Sequence, residues 1–391
     1  MVTKFNNKWI RGALAALLIH CSIGMVYAWS LFVIPISEYI NKTPQQVQFA
    51  FSLAIFFLGM SAAFGGKFVE KNIKKSSLVS MLFFCSGLIL TGGAIYLKSL
   101  IGIYISYGMI MGIGLGIGYI TPIKSLMLWF SENKGLGTGI AVTGFGLGST
   151  IASPLITLLI SRFSLQISFS LLGLIYAVPM IIAHLIIKKP NWYVEKDNSE
   201  NFSYISMLKN KTFIIIWIML YINISCGLAL ISVASPIMKD ISLPISSITL
   251  VVAIMGIFNG AGRLLFSMAS DKLKHRDDIY KVIFCLSMLV AYASFVTYES
   301  KCIIVTLFVI SMCYGAGFSN LPSLLSDKFG MNDISKIHGL SLTAWAFAGL
   351  TGNQISTLIK SRTGSYKLVL ELLIVMYIIG FVLTCVVRKR N

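Results

Sequence analysis

Residues 59–75 read GMSAAFGGKFVEKNIKK, and residues 260–276 read GAGRLLFSMASDKLKHR. Each is an apolar run rich in small residues that ends on an acidic residue followed by a cluster of cations. They lie 201 positions apart, so Gly59 matches Gly260 and Glu70-Lys71 matches Asp271-Lys272. The correspondence extends outward. Pro122 and Pro322 are 200 apart, and Gly135-Leu136 and Gly339-Leu340 are 204 apart. The chain is therefore built as two similar halves.

The composition says what those halves are made of. Of 391 residues, 56% are apolar and 12% charged, and the mean hydropathy is +0.83. A soluble domain needs about 25% charged residues to cover its surface. This chain has too few, which excludes soluble, disordered and disulfide-scaffold classes and leaves a polytopic helical membrane protein. A helix crosses the hydrocarbon core with about 20 apolar residues. That length predicts twelve spans: 9–36, 45–69, 77–97, 100–128, 135–160, 168–188, 211–238, 245–270, 278–297, 302–328, 335–360 and 367–388. A hydrophilic stretch at 189–210 (it contains NWYVEKDNSENFSY) separates six spans from six. The expected organisation is an all-α membrane fold with a six-helix bundle at 1–188, a linker at 189–210 and a second bundle at 211–391. The first apolar run is too long for a cleavable signal.

The net charge of +18 would suggest nucleic acid in a soluble protein. Here it follows the loops. Those on the side of the two chain ends carry 22 Lys and Arg, the others carry eight, and Lys124 and Arg263 fall within spans. Short-loop cations stay in the cytoplasm. Both ends and the linker are thus expected to be cytoplasmic in a multi-pass cell-membrane protein, a bacterial inner-membrane one, with no nucleic-acid partner. The seven cysteines lie mostly in apolar runs, without metal or disulfide spacing.

Two related six-helix halves are the layout of a secondary transporter with its substrate site near the midplane between them. No GxxxxGK[ST] sequence marks a nucleotide-driven pump. The loops hold no nucleophile–base pair or metal cluster, so neither an enzyme nor a cofactor is expected. Spans four and five carry alternating glycines, GMIMGIGLGIGYITP and GLGTGIAVTGFGLGSTIASP, which suit close helix contact and sliding between access states. The repeated loops place Glu70, Lys71, Asp271 and Lys272 where they could latch one conformation.

Ionisable groups at membrane depth are functional candidates. No acidic residue falls at mid-depth. Arg263 lies ~10 Å from the midplane at 1.5 Å per residue, with Asn259 one turn earlier on the same face. Its planar fork suits a carboxylate. Ala62 occupies its position in the first half, so the charge is no part of the shared scaffold. Lys124 lies within reach of the interface, and His20 and His184 could titrate. Tyr27, Trp29, Tyr119, Tyr314 and Trp345 fall in spans one, four, ten and eleven and could wall a small cavity around Arg263.

VYAWSLFVIPI (26–36), GIGYITP (116–122), LWFSENKGLGTGIAVTGFGLGSTIASPL (128–155) and IFNGAGRLLFSMASDK (257–272) together resemble the major facilitator superfamily. More narrowly they resemble its oxalate:formate antiporter family and monocarboxylate-transporter relatives, over most of the chain. The resemblance implies twelve helices, alternating access, transport of small carboxylates and Arg263 as the anion ligand. Oxalate carriers of that family place a Lys in span eleven, often as T-A-K. Here the stretch is Thr343-Ala344-Trp345, and Glu70 stands where Asp is usual. A dianion facing one Arg would stay half-neutralised in a low-dielectric site. The expected substrate is therefore a monocarboxylate such as formate, lactate or pyruvate, moved by exchange, facilitated diffusion or cotransport, with a monomer as the working unit. Efflux of amphipathic compounds and carboxylate sensing without transport are the alternatives.

Overall fold

The computed structural model describes residues 8–130, 134–190, 203–330 and 334–388, all helix and short connection. Eleven helices among them are long and apolar enough to cross a membrane. The expected span that falls short is the eleventh, built of Ile334–Ser341 and Thr343–Thr363. Its second piece carries Thr351, Gln354, Ser356, Thr357 and Lys360. Those polar groups are used inside the bundle. Ser356 Oγ donates to Ala229 O at 2.6 Å, Tyr221 and Thr351 hydroxyls pair at 2.7 Å, and Trp217 Nε1 donates to Thr343 Oγ1 at 2.9 Å. Span eleven thus spends polar groups on neighbouring helices while Phe347, Ile355 and Leu358 stay exposed, and it completes twelve spans in two six-helix bundles.

Spans one and four contain π-helical or 3-10 stretches. Span one runs through a π-helical stretch at Lys8–Leu14, an α-helix at Ala15–Ile23, a 3-10 segment at Gly24–Ala28 and a second α-helix at Ser30–Ile40. Span four has a π-helical stretch at Tyr104–Met111 before the α-helix Gly112–Trp129. Such departures from 3.6 residues per turn re-aim side chains and recur at functional sites. The connections are minimal. Between Pro44–Lys71 and Ile73–Tyr96 stands only Asn72, whose Oδ1 accepts the Lys75 N–H at 2.9 Å. At the start of span two, Thr43 and Gln46 cap each other's backbone N–H groups.

The bundles meet along spans five and eight and along spans two and eleven. A Cβ on Gly146 would stand 2.6 Å from Gly260 N, so the two backbones touch there and no side chain fits between them. Hydroxyls fasten the seam, with Thr150 Oγ1 donating to Ala253 O at 2.8 Å and Thr157 pairing with Thr249 at 3.0 Å. On the side away from the chain ends, Ser30 and Ser235 hydroxyls pair at 2.9 Å and Gln48 Nε2 donates to Ser232 O at 3.0 Å. Gln354 Nε2 also donates to Ser52 Oγ at 3.1 Å. The far side is closed. A Ser30→Cys/Ser235→Cys pair should therefore cross-link under mild oxidant, since disulfides form at Cβ separations of about 3.5–4.5 Å. Cross-linking should stop transport and a reductant should restore it. Undiminished transport by the oxidised protein would show that this contact need not open.

The second of the repeated loops carries a charge cluster. Asp271 pairs with Arg276 at 2.6 Å, and Arg276 reaches Asp327 at the end of span ten at 3.0 Å. The cluster ties spans eight and ten within one half. Lys71 and Lys272 are exposed, and the Glu70 side chain lies outside the described residues. The residue that joins the acids is Arg276, five residues beyond Asp271.

Candidate functional site

Span eight turns Gly256, Asn259, Gly260 and Arg263 inward, while Ile257, Leu265 and Met268 are exposed on the opposite face. The helical period dictates this division. One turn separates Asn259 from Arg263, and Arg263 Nε donates to Asn259 Oδ1 at 2.8 Å. Across from them, span ten supplies Gly315. A Cβ there would stand 2.3 Å from Asn259 O and 3.0 Å from Arg263 Cγ, so the missing side chain is what makes room for the arginine stem. Arg263 is 0% exposed, and its Nη1 and Nη2 have no hydrogen-bond partner.

Rings enclose the guanidinium. Phe318 and Phe145 lie 5.2 and 5.6 Å from its central carbon, within the range at which an aromatic face attracts a cation. Tyr27 and Tyr119 pack edge-on against Phe145, with ring centroids 5.1 and 5.4 Å away. Tyr27 and Tyr314 hydroxyls meet at 2.8 Å across the two halves. Trp345 packs against Phe318 at 4.4 Å, Tyr119 at 4.9 Å and Phe145 at 5.8 Å, and its buried Nε1 is also unpartnered.

Of the residues singled out from sequence, Arg263, Asn259, Tyr27, Tyr119, Tyr314 and Trp345 come together. Trp29 does not. It packs 4.1 Å from Tyr107 and 6.0 Å from Phe32, between spans one, four and six. Two residues past Tyr27 is about 200° around a helix, which sends Trp29 into the first bundle. Phe145 and Phe318 were missed. Phe318 stands four residues after Tyr314, a same-face spacing that could have marked it; Phe145 was hidden in its glycine run. His20 lies behind Tyr119 and Phe145, with ring centroids 5.5 and 5.9 Å away. His184 is tied to span three through Ser77 Oγ at 3.0 Å, far from this cluster in the fold. Lys124 is half-buried, five residues beyond Tyr119.

The described residues hold no group of three or more His, Cys, Asp or Glu that could bind a metal. The site offers the reverse chemistry. Two guanidinium NH2 groups, with four N–H between them, and an indole N–H are pure donors, sunk in aromatic surroundings with no acid among the described residues paired to them. Such a charge is costly alone and is satisfied by an anion with two oxygens, small enough to fit among packed rings.

Comparison with known proteins agrees with this layout. The family model described as Major Facilitator Superfamily matches residues 13–353. The chain is 26% identical over 367 residues to the oxalate:formate antiporter of Oxalobacter formigenes, covering 92% of this chain and 86% of that protein. It is 25% identical to the uncharacterized MFS-type transporter YhjX of Escherichia coli strain K12, covering 86% and 84%. A shorter match, 28% over 167 residues, is to human monocarboxylate transporter 12, covering 42% and 32%.

Proposed function

The chain belongs to the Major Facilitator Superfamily, and from that premise we propose that it carries small monocarboxylates by alternating access, with Arg263 as the anion ligand. It is a multi-pass membrane transporter and not an enzyme. The observation that carries the proposal is the fully buried Arg263 fork with both terminal nitrogens unpartnered among Tyr27, Tyr119, Phe145, Tyr314, Phe318 and Trp345. A carboxylate can take both nitrogens side by side. The single cation supports a monoanion, because the span-eleven position that would supply a second is Trp345.

The energetics favour movement only when loaded. A lone buried cation resists transfer between aqueous faces; a bound carboxylate neutralises it and lowers that resistance. Seams such as Ser30–Ser235 then open and close around a fixed site. The relatives named for antiport and monocarboxylate transport support the substrate class, and the two that match nearly the whole chain are bacterial. We place both chain ends in the cytoplasm of a bacterial inner membrane on the loop charge asymmetry.

The test is uptake by proteoliposomes loaded with unlabelled substrate. Labelled pyruvate, lactate or formate should exchange saturably, and excess monocarboxylate should compete better than oxalate. Oxalate competing best, or no exchange of any of the three, overturns the assignment.

A further inference from the structure

Trp345 of span eleven is 0% exposed, and its indole N–H has no acceptor. An indole nitrogen donates and cannot accept, so no choice of tautomer or flip can satisfy it. Other tryptophans of the chain find partners. Trp129 Nε1 donates to Lys188 O at 2.8 Å, and Trp217 Nε1 donates to Thr343 Oγ1 at 2.9 Å. Trp29 Nε1 is unpartnered as well, but its ring packs on Tyr107 and Phe169 inside the first bundle. Trp345 differs in what surrounds it. Phe318 and Phe145, the two rings that face the Arg263 guanidinium, are also its own neighbours, with centroids 4.4 and 5.8 Å away. Two side chains from different helices thus stand on the same pair of walls, and both carry unused donors.

The donors can be matched to oxygens. A carboxylate has two, and the guanidinium fork takes both through Nη1 and Nη2. The Tyr27 and Tyr314 hydroxyls hold each other at 2.8 Å, and Arg263 Nε is held by Asn259 Oδ1 at 2.8 Å. The Trp345 N–H is left over. A plain carboxylate such as propionate offers it nothing, and the loaded site would keep a buried donor without an acceptor, which costs more than an ordinary hydrogen bond contributes. Because the indole is uncharged, its complement is a neutral oxygen, a keto or hydroxyl group, rather than a second carboxylate. An anion seated on the guanidinium presents to these shared walls the carbon next to its carboxylate. That carbon is where the oxygen belongs.

We propose that Trp345 is a specificity-determining residue, whose indole N–H binds the oxygen on C2 of a 2-oxo or 2-hydroxy monocarboxylate and disfavours anions with a methyl group or hydrogen there. This rests on the monocarboxylate reading above and narrows it. Arg263 binds the charge, which all such anions share, so the choice among them falls to the uncharged donor. A site that hydrogen-bonds a substrate hydroxyl rejects the analogue lacking it far more strongly than an apolar pocket rejects an added hydroxyl. The preference is therefore built into one N–H of span eleven, with the surrounding rings supplying shape.

The test is inhibition of labelled-pyruvate exchange by two competitors of one shape, glycolate and propionate, which differ by a hydroxyl in place of a methyl. Full-length protein is used in proteoliposomes, with protein-free vesicles as the control for leakage of the free acids. Glycolate should half-inhibit the wild type at a concentration about tenfold or more below that of propionate. Trp345→Phe keeps a ring against Phe318 and Tyr119 but has no N–H, and the ratio should fall to about one. A purely structural role would weaken both competitors alike and leave the ratio standing, and that result overturns the proposal. Equal inhibition of the wild type by the two acids, with exchange intact, also overturns it and leaves the monocarboxylate reading in place. Failure of the wild type to exchange any monocarboxylate overturns both. If the variant does not assemble, detergent-solubilised wild type decides: lactate should raise the unfolding temperature more than isobutyrate at the same concentration, and equal shifts overturn the proposal.

Discussion

Arg263→Met should abolish monocarboxylate transport and, in the same protein, raise the unfolding temperature measured without substrate. Losing one partner of a desolvated charge pair costs about 2–5 kcal/mol, roughly thirty- to several-thousand-fold in affinity for the anion. The stability change has the opposite sign because the closed site leaves Nη1 and Nη2 buried and unpartnered. Replacing a buried charge with an apolar side chain of similar volume is neutral or stabilising by about 1–4 kcal/mol. Pyruvate should raise the unfolding temperature of the wild type, as any ligand of the folded state does, and leave that of the variant unmoved. Arg263→Lys should recover little, since an ammonium cannot span two oxygens in a plane. A variant that transports normally, or that unfolds more easily than wild type without substrate, would remove Arg263 from the anion site.

Gly146→Val should cut transport by about tenfold or more, with Gly139→Val near wild type. The added Cβ at 146 would stand 2.6 Å from Gly260 N and 2.8 Å from Gly260 Cα. Backbone atoms cannot swing aside as a side-chain tip can, so spans five and eight must separate next to Asn259 and Arg263. Overpacking of this kind costs about 1–3 kcal/mol, a bias of roughly 5- to 150-fold against the closed arrangement. At Gly139 the added Cβ meets only the Leu264 Cδ1 tip, at 3.6 Å, which is ordinary contact. Equal uptake by the two variants would show that closure of this seam is not part of the cycle.

Much of this architecture could be read in the sequence, because hydropathy and the 201-residue offset are properties of composition and spacing alone. Arg263 was legible for the same reason: a cation in an apolar run with Ala62 as its counterpart. What could not be read was direction. Tyr27 and Trp29 are two residues apart, and only the phase of span one, altered by its 3-10 segment at Gly24–Ala28, decides which ring meets the guanidinium. Phe145 enters the site because Gly146 brings span five against span eight, a contact between segments over a hundred residues apart. The acid–base cluster at the span-eight loop was half legible. Asp271 was visible in the motif, whereas its link through Arg276 to Asp327 depends on where span ten ends.

Span eleven carries a consequence for how the protein is made. A translocating ribosome presents each segment to the lipid in turn, and a segment is retained by its own apolarity. Thr343–Thr363 is poor by that measure, and several of its polar groups pair with neighbours on spans two and seven. Unpaired polar groups are expensive in hydrocarbon. This segment therefore settles in the bilayer by docking onto helices synthesised before it. Trp345, carried on this segment, meets Tyr119 and Phe145 only once the second bundle has closed against the first.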